Sequence, residues 1–100
     1  MQKIQKDKAD VLRVIREKQS ELAGRFTVRR IGVFGSFARD SASAESDVDI
    51  LVELAEPTFD HYMDLKFYLG EVLNRPVDLV MADTVKPRLR PIIGKEVVYA

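Results

Sequence analysis

The run IGVFGSFARDSASAESDVDILVE, residues 31–53, decides how this chain is read. The segment Thr27 to Phe34 is rich in Val and Ile, a strand signal that Gly35-Ser36 interrupts. Phe37 to Arg39 reads as the start of a short helix, and the small polar residues Asp40 to Ser46 read as a loop. From Asp47 the pattern alternates. Val48, Ile50, Val52 and Leu54 share one face, and Asp47, Asp49 and Glu53 share the other, with Leu51 among them.

Outward from this run the periodicity changes. Residues 4–23 read as an amphipathic helix through Ile4, Val11, Leu12, Ile15 and Leu22, with Gly24 placed to end it. After Pro57, residues 59–73 have helical spacing through Phe59, Tyr62, Leu65, Leu69 and Val72. Asn74-Arg75-Pro76 is a turn, and Val77 to Met81 alternates again, with Asp78 opposite Val77, Leu79 and Met81. The tail carries Pro87 and Pro91, which predicts a short helix before the β-prone Val97-Val98-Tyr99. The order predicts one α/β (α+β) domain over residues 1–100, a mixed sheet with helices packed on it. Its parts are an N-terminal helix (1–24), a core (25–83) and a tail (84–100).

Two features do not read as ordinary packing. Period two aims the carboxylates of Asp47 and Asp49 the same way, and neighbouring carboxylates repel unless a cation joins them. Carboxylate oxygens suit Mg²⁺ or Mn²⁺. Asp78, out of phase with its own apolar residues, adds a third if the two strands are neighbours. A lone Asp at a strand start is ordinarily a solvated or capping residue, so the weight rests on three in phase. Gly35-Ser36, between a strand and a helix start, lets a phosphate approach the backbone and adds a hydroxyl donor. Alone it reads more readily as a plain turn with Ser36 as N-cap.

Composition narrows the classes. One hundred residues, 46% hydrophobic and 32% charged, fit one folded domain with a single core. The chain has no cysteine and no apolar run long enough for a membrane span, so a cytoplasmic location is expected. Sixteen basic and sixteen acidic residues balance, which argues against bulk nucleic-acid binding. The signs are unevenly placed: residues 40–64 hold eight acids and no Lys or Arg, between basic ends. That invites a cation site flanked by groups that meet phosphates.

Gly35-Ser36, ten residues, then Asp47-x-Asp49, with Asp78 on a later strand, resembles the signature of the DNA polymerase beta-like nucleotidyltransferase superfamily. The motif's four positions would match by chance roughly 0.002 times in a chain of this composition, so the pattern is specific. The segment RPVDLV and the tail VKPRLRPIIGKEVVYA are similar to the minimal (MNT) branch, over most of residues 25–100. The resemblance implies a Mg²⁺-dependent transfer of AMP from ATP. Asp47 and Asp49 would carry two metal ions, and Asp78 would bind the catalytic one and help deprotonate the acceptor hydroxyl. Gly35 and Ser36 would hold the β- and γ-phosphates. Arg39 would add charge there or be a solvated surface arginine. Many members have Gly where this chain has Asp40, which here would cap or repel.

The same resemblance implies an antitoxin whose partner is a HEPN-domain toxin, neutralised by adenylylation of a tyrosine. The alternatives are a non-catalytic binding antitoxin and a transferase acting on small molecules such as antibiotics. His61, the only histidine, reads as structural or surface. Tyr62 and Tyr68 read as core or interface, and Tyr99 as a partner contact or self-modification site. Lys86, Arg88 and Arg90 read as a solvated tail first, with contact to the nucleotide or an acidic partner as the alternative.

Overall fold

The computed structural model describes residues 7–43 and 45–100. Two helices, α1 (Lys8–Glu17) and α2 (Gln19–Phe26), lead into strand β1 (Val28–Phe34) and a single helical turn, α3 (Gly35–Ala38). Strand β2 (Val48–Leu54), helix α4 (Phe59–Leu73) and strand β3 (Val77–Met81) follow. A 3-10 turn (Ala82–Thr84), helix α5 (Arg90–Glu96) and strand β4 (Val98–Tyr99) complete the order.

The sheet is mixed, in the order β3-β2-β1-β4. β2 runs parallel to β3 and antiparallel to β1, and β4 joins the far side of β1 antiparallel. A parallel pair needs a crossover, and α4 supplies it. Alternation then sorts the side chains. Ile31, Val33, Val48, Ile50, Val52, Leu54, Val77 and Leu79 enter one core with Val11, Ile15 and Leu22 of the N-terminal helices and Leu65, Leu69 and Leu73 of α4. Asp49, Leu51 and Asp78 point away from it. Leu51 is nevertheless buried, in a cleft lined by Ala82, Val85, Arg90, Ile93 and Tyr99 of the C-terminal segment.

The N-terminal helix departs from expectation. Its expected start at residue 4, with Ile4, lies outside the described residues. Instead of running unbroken to residue 23, it is interrupted at Lys18, whose backbone leaves helical geometry with φ −103° and ψ 9°. Lys18 falls in the middle of the apolar stripe of Val11, Ile15 and Leu22, so an unbroken helix would aim a cation at the core. Gly24 does not end α2, and the boundary at 24 moves to 26. The helix continues until Phe26 is buried against Tyr68, ring centroids 5.2 Å apart, and Thr27 caps it in the left-handed region with φ 58°. Phe59 also leaves the apolar pattern at 76% exposure, because the first turn of α4 projects past the core.

Candidate active site

The carboxylates are gathered by strand register. In the parallel β2–β3 pair Asp49 stands opposite Asp78. Burial, followed by the charges of Asp78 and Asp47, pushes the Asp49 carboxyl above its ordinary value of 3.8. Asp47, exposed and just ahead of β2, acts on Asp49 through charge. No three His, Cys, Asp or Glu side chains of the described residues are yet drawn close enough to hold an ion. Asp49 and Asp78 are paired across the strands, and Asp47 stands exposed just ahead of them. The donor set fits a hard divalent cation, whose charge would remove the repulsion between the carboxylates.

Gly35 stands against this pair. Its backbone is left-handed, φ 71°, and a Cβ there would collide with the Asp49 carboxylate. Glycine is therefore required both for the turn out of β1 and for the close approach. The Gly35 N–H donates to Oε1 of Glu96 at 3.0 Å, and Nη1 of Arg39 lies 3.0 Å from Oε2 of the same carboxylate. The two donors therefore hold an oxyanion together. Ser36 is not an N-cap: Phe34 occupies that position without a side-chain bond. The half-buried Ser36 lies inside the turn, where its carbonyl accepts from Ser41 N–H at 2.9 Å.

Asp40 neither caps α3 nor faces the carboxylate pair. It adopts the left-handed conformation with φ 58°, which Gly reaches without strain and Asp tolerates. Its carboxylate lies 3.6 Å from Lys8 Nζ. His61 is structural: its N–H bonds the Thr58 hydroxyl and its ring Nδ1 lies 2.7 Å from the Glu56 carbonyl. Tyr62 donates its hydroxyl to the Leu79 carbonyl at 2.6 Å. Tyr99 lies under the Arg30 guanidinium, 3.7 Å from the ring centroid.

Two residues escape the sequence reading. Arg75, 8% exposed, donates through Nη1 to the Ser43 and Ser46 carbonyls, each at 3.2 Å, and so ties the loop before Asp47 to the start of β3. Its guanidinium also lies 5.1 Å from the Phe37 ring. Adjacency to Pro76 gave only a turn signal. Glu96 had one local cue, being the sole acid among the basic residues of 84–100.

The four-stranded mixed sheet with paired carboxylates beside a glycine turn is a small mixed α/β domain of the minimal nucleotidyltransferase fold. The Nucleotidyltransferase domain model matches residues 12–100, and the chain belongs to that family of enzymes. It is similar to "Protein adenylyltransferase MntA" of Thermococcus cleftensis, 42% identical over 87 residues, 86% of this chain and 88% of that one. A solved structure provisionally described as a minimal nucleotidyltransferase superposes with a TM-score of 0.76 at 37% identity, covering 89% of this chain and 92% of the other. A chain from the complex of the tri-AMPylated Shewanella oneidensis HEPN toxin with its MNT antitoxin matches at TM-score 0.62 and 21% identity, over 88% and 70% of the two chains. At that identity the likeness is one of fold. No helix of the described residues is long and apolar enough to cross a membrane.

Proposed function

We propose that this chain is the antitoxin of a toxin–antitoxin pair and transfers AMP from ATP to a hydroxyl, a tyrosine by the family resemblance, of a HEPN-domain toxin. The observation that carries the reading is the register that sets Asp49 beside Asp78, with Gly35 against Asp49. A purely adhesive surface has no use for carboxylates pressed together. The protein-adenylyltransferase relative and the complex with an AMPylated toxin support the choice of AMP and of a protein acceptor.

In this reading Asp47, Asp49 and Asp78 hold Mg²⁺, with two ions expected, and Gly35, Ser36 and Arg39 hold the triphosphate. When bound, the ions would neutralise charge on the phosphates and on the leaving pyrophosphate. The chain's own part is positioning and proton handling. Gly35 N–H and Arg39 already grip a carboxylate, so their geometry suits an oxyanion. Asp78, at the outer side of the pair, takes the proton of the attacking hydroxyl. The acceptor oxygen then bonds to the α-phosphorus, the bond from that phosphorus to the bridging α–β oxygen breaks, and pyrophosphate leaves with the electron pair.

The test uses α-labelled ATP, Mg²⁺ and the HEPN-domain protein encoded beside this one, with an Asp47→Asn/Asp49→Asn double variant as control. Label on the partner that disappears in the variant is the expected result. A tight complex with no label would replace catalysis with neutralisation by contact.

A further inference from the structure

The C-terminal helix places a carboxylate where the proposed reading needs phosphate. Glu96 is the last residue of α5, and its contact with Gly35 spans 61 residues of sequence. One oxygen takes the Gly35 N–H and the other takes Arg39, both at 3.0 Å. Since the Gly35 backbone abuts the Asp49 carboxylate, Glu96 brings a further negative charge to a site that already strains to hold its own. Arg39, whose charge also acts on Asp49, offsets it.

The element that carries Glu96 is lightly held. α5 has seven residues, none of them buried, and Ile92 is 58% exposed. Strand β4, immediately after it, is pinned: Val98 and Tyr99 pair with Val33 and Gly32 of β1. Glu96 therefore sits between a short, largely exposed helix and a paired strand, and a change in its side-chain rotamer alone would free Gly35 without unpairing the sheet.

We infer that Glu96 is an internal competitor for the nucleotide's phosphates: its carboxylate holds Gly35 N–H and Arg39 until a triphosphate displaces it, and so sets the affinity of the site. The inference rests on the reading of Gly35 and Arg39 as triphosphate donors. A triphosphate prevails because it offers more charge and more acceptor oxygens to the same donors than one carboxylate does. The opposite role, a strut that aims Arg39 at the nucleotide, predicts the opposite sign on substitution.

Calorimetric titration of the full chain with α,β-methylene-ATP and Mg²⁺ separates the two. Glu96→Ala is expected to bind at least about tenfold more tightly than the parent, since it removes two charge-assisted hydrogen bonds from the competing state and tenfold corresponds to the net contribution of one. Glu96→Gln, which keeps the shape and loses the charge, is expected to gain less, and it serves if the alanine variant does not fold. Adenosine, lacking phosphates, is expected to show no gain. Unchanged or weaker binding of the triphosphate by both variants, with the parent still binding, overturns this inference and leaves the proposed function standing. An equal gain for adenosine also overturns it. No binding by parent or variants overturns both readings together.

Discussion

The two faces of the sheet obey different rules. On the helix-covered face Val48, Ile50 and Val52 are at most 1% exposed and alternate with residues of the other face along the same seven-residue strand. On that other face Asp49 and Asp78 stand side by side at a cost to each other. Burial of apolar surface holds the first face together and requires only volume and shape. The second face is held in a conformation that the first makes affordable, since repelling charges remain adjacent only when the backbone beneath them is fixed. Stability and chemistry are therefore separable on one strand, residue by residue.

The sharpest separation comes from Asp49→Asn. Transfer activity is expected to fall by about 10²–10³ or more, the range for loss of one preorganised electrostatic group, while the melting temperature does not drop. Full activity in a labelled-AMP assay would break the division between the faces. The adjacent Ile50→Ala should do the reverse. It is expected to lose about 2–5 kcal/mol of stability in urea unfolding, with transfer per folded molecule retained at low temperature.

Gly32→Ala probes the part of the open face that the tail covers. A Cβ at Gly32 would lie 2.8 Å from Val97 Cγ2 and 3.0 Å from Tyr99 Cδ1. The expected cost is about 1–3 kcal/mol, as for an overpacked core position, together with faster amide exchange in residues 97–100. Unchanged exchange there would show that β4 does not depend on the glycine.

The smallest effect is a pH dependence. The Asp49 carboxyl titrates above its ordinary value of 3.8 because of burial first, then the charges of Asp78 and Asp47. Between the ordinary and the raised value the native state keeps a proton that the unfolded chain has lost, so stability falls as pH rises through that window. Asp49→Asn removes the slope, and the variant should melt a little higher than the parent at neutral pH and level with it in acid. Added Mg²⁺ should raise the parent's melting temperature at neutral pH and leave the variant's almost unmoved. A variant that melts below the parent at neutral pH would place Asp49 among the stabilising residues.

Local pattern was well legible in the sequence. Alternation fixed β2 and β3 to within a residue, and the stretch 59–73 matches α4 end to end, because each signal repeats within a few consecutive residues. The expectations that moved did so for non-local reasons. Gly24 carries a stop signal, yet burial of Phe26 against Tyr68 outweighs it. Asp40, read as a disturbance in the phosphate loop, turns away to Lys8.

The sequence by itself determined which side chains share a face of a strand, which residues break the chain into elements, and the spacing of Gly35-Ser36 and Asp47-x-Asp49 on which its resemblance to the nucleotidyltransferases rests. Only the tertiary structure decided that β3 lies beside β2 in the register that joins Asp78 to Asp49, and that Glu96 reaches back to Gly35. The physical reason is range. Periodicity comes from the geometry of a single element, whereas strand order and a contact across 61 residues depend on how the buried faces of all the elements pack at once.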